Sequence, residues 1–191
     1  MCPNYCENEL TISGADVEKV LAAIRDLESD DSDEHILDFD KVIPYPQEFK
    51  DLDQRSANYQ AKINDIAKDD PEREAKLKEL AAEFGVEPGT PWLHDGFNSD
   101  GYDWCVNNWG TKWSAIDVHH SSQGANNALI EFLTAWTPPV PVIEKMASFF
   151  PDHDFDLKYY EGGCGFRGHA RWSKGKEKFH HQFDYSGPRG G

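Results

Sequence analysis

An imidazole beside two carboxylates is a small set of side chains able to move a proton, and the chain offers one. Asp117 and His119 share a face of a strand predicted over 115–120, and Glu131 sits on the strand predicted to follow. Such a cluster would suit a small hydrolase or transferase. A partly exposed histidine beside a carboxylate is also ordinary on a solvated sheet, so the trio does not by itself specify an enzyme. The pairs His119-His120 and His180-His181 sit in predicted strands, and alternation sends one member of each pair to either face. No nucleophile elbow, phosphate loop or HExxH zinc motif occurs, so neither a cofactor nor a metal is expected.

A second set is basic. Arg167, His169 and Arg171 fall on one face of a strand predicted over 166–172, and Lys174, Lys176 and Lys178 follow closely. The strip loosely resembles an RNA-recognition strand, and a single-stranded nucleic acid would be its ligand. Phe166 and Trp172 alternate onto the opposite face, where they serve the core rather than stack on bases. Cysteine chemistry is weaker. Tyr5-Cys6-Glu7-Asn8 and Trp104-Cys105-Val106-Asn107 echo each other, but no cationic neighbour marks either thiol for a depressed pKa. Both read as structural, the Asn side chains satisfying backbone groups. Cys2 and Cys6 lack the second tight ligand pair of a zinc site.

Charge is the third signal. Residues 1–100 hold 25 Asp/Glu and 10 Lys/Arg, whereas 101–191 hold 10 and 9. A field of that sign repels nucleic-acid phosphates and attracts basic protein surfaces. The contact residues expected for a basic partner are Glu28, Asp30, Asp31, Asp33 and Glu34 in DLESDDSDE, with Glu72 and Glu79 on a predicted helix. The acidic run lacks the glycine and closing glutamate of a calcium loop.

The elements that must carry these groups follow from hydrophobic periodicity. Glu7–Ile12 alternates as a strand, with Leu10 and Ile12 on one face and Glu9 and Thr11 on the other. Asp16 should cap a helix with Val17, Val20, Leu21, Ile24 and Leu27 inside. Alternation over 35–43 predicts a second strand, stopped by Pro44 and Pro46. Residues 57–68, and a stretch capped at Asp70-Pro71 and ending with Leu77, Leu80, Ala81 and Phe84, read as an inserted helical hairpin over 56–84. Trp92 and Phe97 should anchor the connection that follows.

Asp103–His120, with three tryptophans and a turn at 107–110, reads as the packing nucleus, leading into a hairpin of strands 115–120 and 126–136. Ile130, Phe132, Thr134 and Trp136 share a face of the second. A helix through Phe150 with Val142, Met146 and Phe149 inward comes next, then strands 155–160, 166–172 and 177–185. The order is that of an α+β protein: a ferredoxin-like, mainly antiparallel sheet with helices on one face and an inserted hairpin. Residues 1–185 form one domain in this reading, with 186–191 a loose tail.

Pro3-Asn4-Tyr5-Cys6-Glu7-Asn8 with Leu10–Gly14, the block Trp104–Trp113, and Thr134-Ala135-Trp136 with Pro138-Pro139 resemble the YubB-type ferredoxin-like proteins of phages and plasmids. The resemblance implies a ferredoxin-like domain and a mobile-element origin, and it supplies no catalytic residues. The leading functional expectation is an accessory protein of the host cytoplasm, more a binder than an enzyme. It would inhibit a host defence or nucleic-acid-binding protein by presenting a basic partner with a nucleic-acid-like acidic surface. No run of apolar residues is long enough to span a membrane, and the sequence names neither the partner nor the oligomeric state.

Overall fold

Tyr5–Ser13 (β1) sends Cys6, Leu10 and Ile12 into the core, and Glu7, Glu9 and Thr11 the other way. The computed structural model describes residues 4–25, 36–185 and 187. Among them the chain divides into two compact units, 1–44 with 103–191, and 45–102. In the first, β1 is joined by β2 (Ile116–Ser122), β3 (Asn127–Ala135), β4 (Asp154–Glu161), β5 (Phe166–Ser173) and β6 (Lys176–Asp184). The sheet runs β2-β3-β1-β4-β5-β6 with every neighbouring pair antiparallel.

Helix α1 (Val17–Ile24) follows β1, and α6 (Val140–Phe149) links β3 to β4. The succession β1, α1, β2, β3, α6, β4 is the ferredoxin-like β-α-β-β-α-β arrangement, and the β5–β6 hairpin widens the sheet beyond β4. Lys174 and Gly175 both take positive φ (56° and 70°), as a two-residue hairpin turn of matching twist requires. Val142, Ile143, Met146 and Ala147 of α6 are buried over β4, β5 and β6, where Phe155, Leu157, Ala170 and Trp172 are fully enclosed.

The second unit contains α3 (Gln47–Asp65), α4 (Arg73–Glu83) and a π-helical turn, Phe97–Gly101. Its small core is Tyr59, Leu80 and Leu93, with Ile63, Ile66, Phe84 and Val86 against it. Asp53 holds the turn by accepting from the backbone N–H groups of Gly96 and Phe97.

Several local expectations are corrected. Residues 39–42 are a single helical turn, α2, and not part of a strand: Asp38 caps it through Oδ1, accepting from Asp40 N at 2.9 Å, and Phe39 and Val42 are buried at three-residue spacing. Ile36 and Leu37 are both buried although adjacent, which two-face alternation cannot accommodate. Tyr102–Asn108 is helix α5, not an approach to a turn; Cys105 is buried on it and Trp109 follows, its Nε1 donating to Ile43 O at 2.8 Å and its ring edge-on to Phe39 and Trp104. The packing nucleus therefore stands, but built on a helix.

Helix α3 starts at Gln47, and α4 starts after Glu72, because Asp70 accepts from Glu72 N and pairs with Lys76 instead of capping the helix. Trp92 is 65% exposed while its neighbour Leu93 is buried. Phe149 faces solvent, its inward place taken by Ile143 and Ala147, and Trp136 leaves the strand at φ 69°.

Gly168 of β5 lies opposite Tyr159 of β4, whose ring covers the bare backbone so closely that any Cβ there would sit inside it. Gly168→Ala should cost about 1–3 kcal/mol by displacing that ring. A fall in the urea midpoint with unchanged slope would register the loss, and an unshifted midpoint would show that the ring moves freely.

Candidate functional site on the open sheet face

Because the strands are antiparallel and in register, side chains of one parity from all six form straight rows on the face opposite α6. One row runs His119, Glu131, Glu9, Lys158, His169, His181, from β2 at one edge to β6 at the other. The neighbouring row runs Leu133, Glu7, Tyr160, Arg167, Phe183. All of these residues except His181, together with Asp117 and Tyr185, line a groove of about 790 Å³.

The groove has two electrostatic banks. Glu7, Glu9, Glu131 and Asp117 come from the adjacent strands β1, β3 and β2; Lys158, Arg167 and His169 come from β4 and β5. Lys158 Nζ is 3.0 Å from Glu9 Oε1, a bond that raises the Lys158 pKa. Tyr160 donates its hydroxyl to Glu7 Oε1 at 2.5 Å, which pushes the phenol up to about 12. Glu131 stands opposite both Glu9 and His119 across its two neighbouring strands. Asp117 takes a left-handed backbone, φ 48°, where the β2–β3 register slips between Ile116 and His119. That irregularity re-aims a side chain at the rim of the groove.

The structure thus brings Asp117, His119 and Glu131 to one end of a groove whose far end carries Arg167 and His169. The three share that end, and the lining residues include no Ser, Thr or Cys to act as nucleophile. The rest of the basic strip is partly neutralised. Arg171 pairs with Asp154 at 3.0 Å and His169 Nε2 lies 2.8 Å from Asp156. The Asp154 carboxyl is held below its ordinary range by hydrogen bonds from Ser173 and Arg171. Lys174 and Lys176 are exposed at the hairpin end, and neither lines the groove. Trp172 is fully buried on the helix side.

Of the acids expected to meet a partner, Glu28, Asp30, Asp31, Asp33 and Glu34 lie outside the described residues. Glu72 and Glu79 are exposed in the helical unit. Glu7, Glu9, Lys158, Tyr160 and Phe183 were missed as site residues, although the alternation of β1 already places Glu9 on the outward face. What was absent was the strand order that sets them beside His119 and Arg167.

Cys6 is inert. Burial, reinforced by the nearby Glu161 carboxylate, pushes its thiol up to about 12. Next to it Asn8 donates through Nδ2 to Cys6 O, Phe132 O and Thr134 Oγ1, the backbone-satisfying role expected of it. Among the described residues no group of three or more His, Cys, Asp or Glu is placed to hold a metal ion, and no helix is long and apolar enough to cross a membrane.

Sheet order and helix placement define a ferredoxin-like α+β protein with one charged, grooved sheet face. Residues 108–186, which carry β2 to β6 and α6, match a family model described as the ferredoxin-like domain in Api92-like protein. Among solved structures the chain is similar to the crystal structure of protein api92 from Yersinia pseudotuberculosis, with a TM-score of 0.52 and 13% identity over 98% of this chain and 100% of that one. At that identity the likeness speaks to the fold alone. No curated protein matches the chain.

Proposed function

We propose that the protein acts by binding another protein, taking a basic segment of it onto the carboxylate bank of the open sheet face. The observation that carries this reading is the cross-strand pair Glu9 and Glu131, two like charges directly opposite each other in the middle of a sheet. Such a pair costs the fold stability, which Lys158, paired with Glu9 on the far side, offsets in part. A lysine or arginine from a partner would relieve the repulsion, while the hydrophobic parts of Tyr160 and Phe183 would receive its aliphatic stem.

The excess of acid among the lining residues works against a polyanion. Nucleic acid is disfavoured further because Arg171 and His169 already face carboxylates. Exposed Glu72 and Glu79 add charge of the same sign in the helical unit. The resemblance to YubB-type proteins of phages and plasmids supports an accessory role, in which the captured partner is a basic, nucleic-acid-binding host protein whose ligand these carboxylates imitate.

Glu131→Gln separates the two halves of this reading. It should stabilise the free protein by about 0.2–1 kcal/mol by removing the like-charge pair, and it should weaken binding of a Lys/Arg-rich peptide measured by calorimetry. The wild-type affinity should also fall steeply with added salt. A destabilised variant, or peptide binding indifferent to both salt and the substitution, would remove the proposal. Gel shifts with short RNA and DNA that weaken in an Arg167→Ala, Arg171→Ala double variant would favour nucleic acid instead.

A further inference from the structure

We infer that two copies of the chain pair edge to edge through β6, antiparallel about a two-fold axis at His181, so that their sheets run on as one. Among the described residues no strand pairs with the outer edge of β6, which is nine residues long, exposed at all but one position and free of proline. A long unprotected edge is a template for another strand. The sequence of β6 says which one.

Folded back on itself about His181, the segment from 178 to 184 is self-complementary. Lys178 meets Asp184 of the partner subunit, Phe179 meets the partner's Phe183, His180 meets the partner's Gln182, and each contact occurs twice, as an isologous interface demands. Phe179 with Phe183 and His180 with Gln182 share a face, because the pairing of β6 with β5 is unbroken from Phe179 to Asp184. Phe179 and Phe183 both lie on the grooved face, set by their register with Arg171 and Arg167 of β5. Phe183 is 56% exposed in the single chain although it lines the groove, and the partner's Phe179 would cover it. The ring row His169, Phe179, His181, Phe183 (adjacent centroids 4.8–6.1 Å apart) would then continue across the axis.

Centring the axis on His180 instead sets Phe183 against Glu177 and separates the two phenylalanines, which leaves their apolar surface wet. The irregularity in β6 pairing, where Arg171 faces Phe179 and Trp172 faces Glu177, leaves Lys178 without an opposite residue on β5. A second copy is therefore the better occupant than an unrelated strand: it supplies the complementary charge at both ends and the matching ring at both phenylalanines. The partner copy also contributes a side chain at the rim of the groove, so each groove is completed by the other subunit.

Sedimentation velocity of the intact chain across a concentration series tests this without any peptide ligand. A reversible dimer is expected. Lys178→Glu and Asp184→Lys should each weaken it by about tenfold or more, and the two together should restore it, because the swapped charges again face each other across the axis. Thermal melts at monomer concentrations check that the variants fold. A monomer at every concentration would overturn the inference, as would a dimer indifferent to the single charge reversals. Rescue by Lys176→Glu with Asp184→Lys, but not by the Lys178 pair, would overturn the register. None of these outcomes depends on what the carboxylate bank binds.

Discussion

Trp172→Ala should lower the free energy of unfolding by about 3–5 kcal/mol, the largest single loss expected of any side chain in this protein. Trp172 is fully buried on the helix side of β5, opposite Phe155 of β4, in the layer that α6 covers. Truncation removes the greatest enclosed apolar volume and leaves a cavity that the flanking strands, tied on both sides, cannot close. Its indole Nε1 is buried with no hydrogen-bond partner among the described residues, so part of the stabilisation from its bulk is offset by a stranded donor. Trp172→Phe should accordingly cost less than Trp172→Ala, because the stranded donor disappears while a six-membered ring still fills most of the space. Denaturant titration of the two variants decides the matter. Equal losses would mean that the donor is satisfied after all, or that the ring is not central to the core.

Alkaline destabilisation is the second large effect. The Cys6 thiol rises from an ordinary 9.0 to about 12 through burial, with Glu161 adding to it. Tyr159 rises from 10.0 to about 12, again through burial. Below pH 9 both groups keep their protons in either state and nothing is lost. Above it the unfolded chain releases the thiol proton while the folded chain holds it, so the unfolded state gains about 1.4 kcal/mol per pH unit from this group. Tyr159 adds a change of the same sign once pH passes 10. Stability should therefore fall progressively between about pH 9 and pH 12, the range set by those two raised values. Cys6→Ala should make the fall between pH 9 and pH 10 shallower, whatever it costs in packing at neutral pH, and leave the decline above pH 10, where the raised phenols of Tyr159 and Tyr160 contribute. Chemical denaturation at a series of pH values reads both the slope and the shift. A flat profile from pH 9 to 10 in the wild type would contradict the burial of the thiol.

The strands were legible because their residues alternate. Glu7–Ile12, 126–136, 155–160 and 166–172 each carry an apolar face and a polar face, and each appears within a residue or two of the expected bounds. The same rule failed at 35–43, where apolar residues are crowded on both parities and Asp38 tips the balance by capping a turn. The turn expected at 107–110 was also only partly right, because residues 102–108 are helical and carry Asn107 and Asn108. The trio Asp117, His119 and Glu131 was also legible, since one hairpin brings it together locally.

Which residues lie on the outward face of each strand was settled by the chain itself, through period-two chemistry that needs no neighbour. Which of those residues share a site was settled only on folding. Glu9 and Lys158 are far apart along the chain and become adjacent because α1 and α6 return β1 and β4 to neighbouring places in the sheet. Strand order depends on how helices and crossovers pack, a property of the whole domain that no local pattern encodes. The acid-rich composition was therefore visible from the residues, but the carboxylate bank, the basic bank opposite and the groove between them exist only in the assembled sheet.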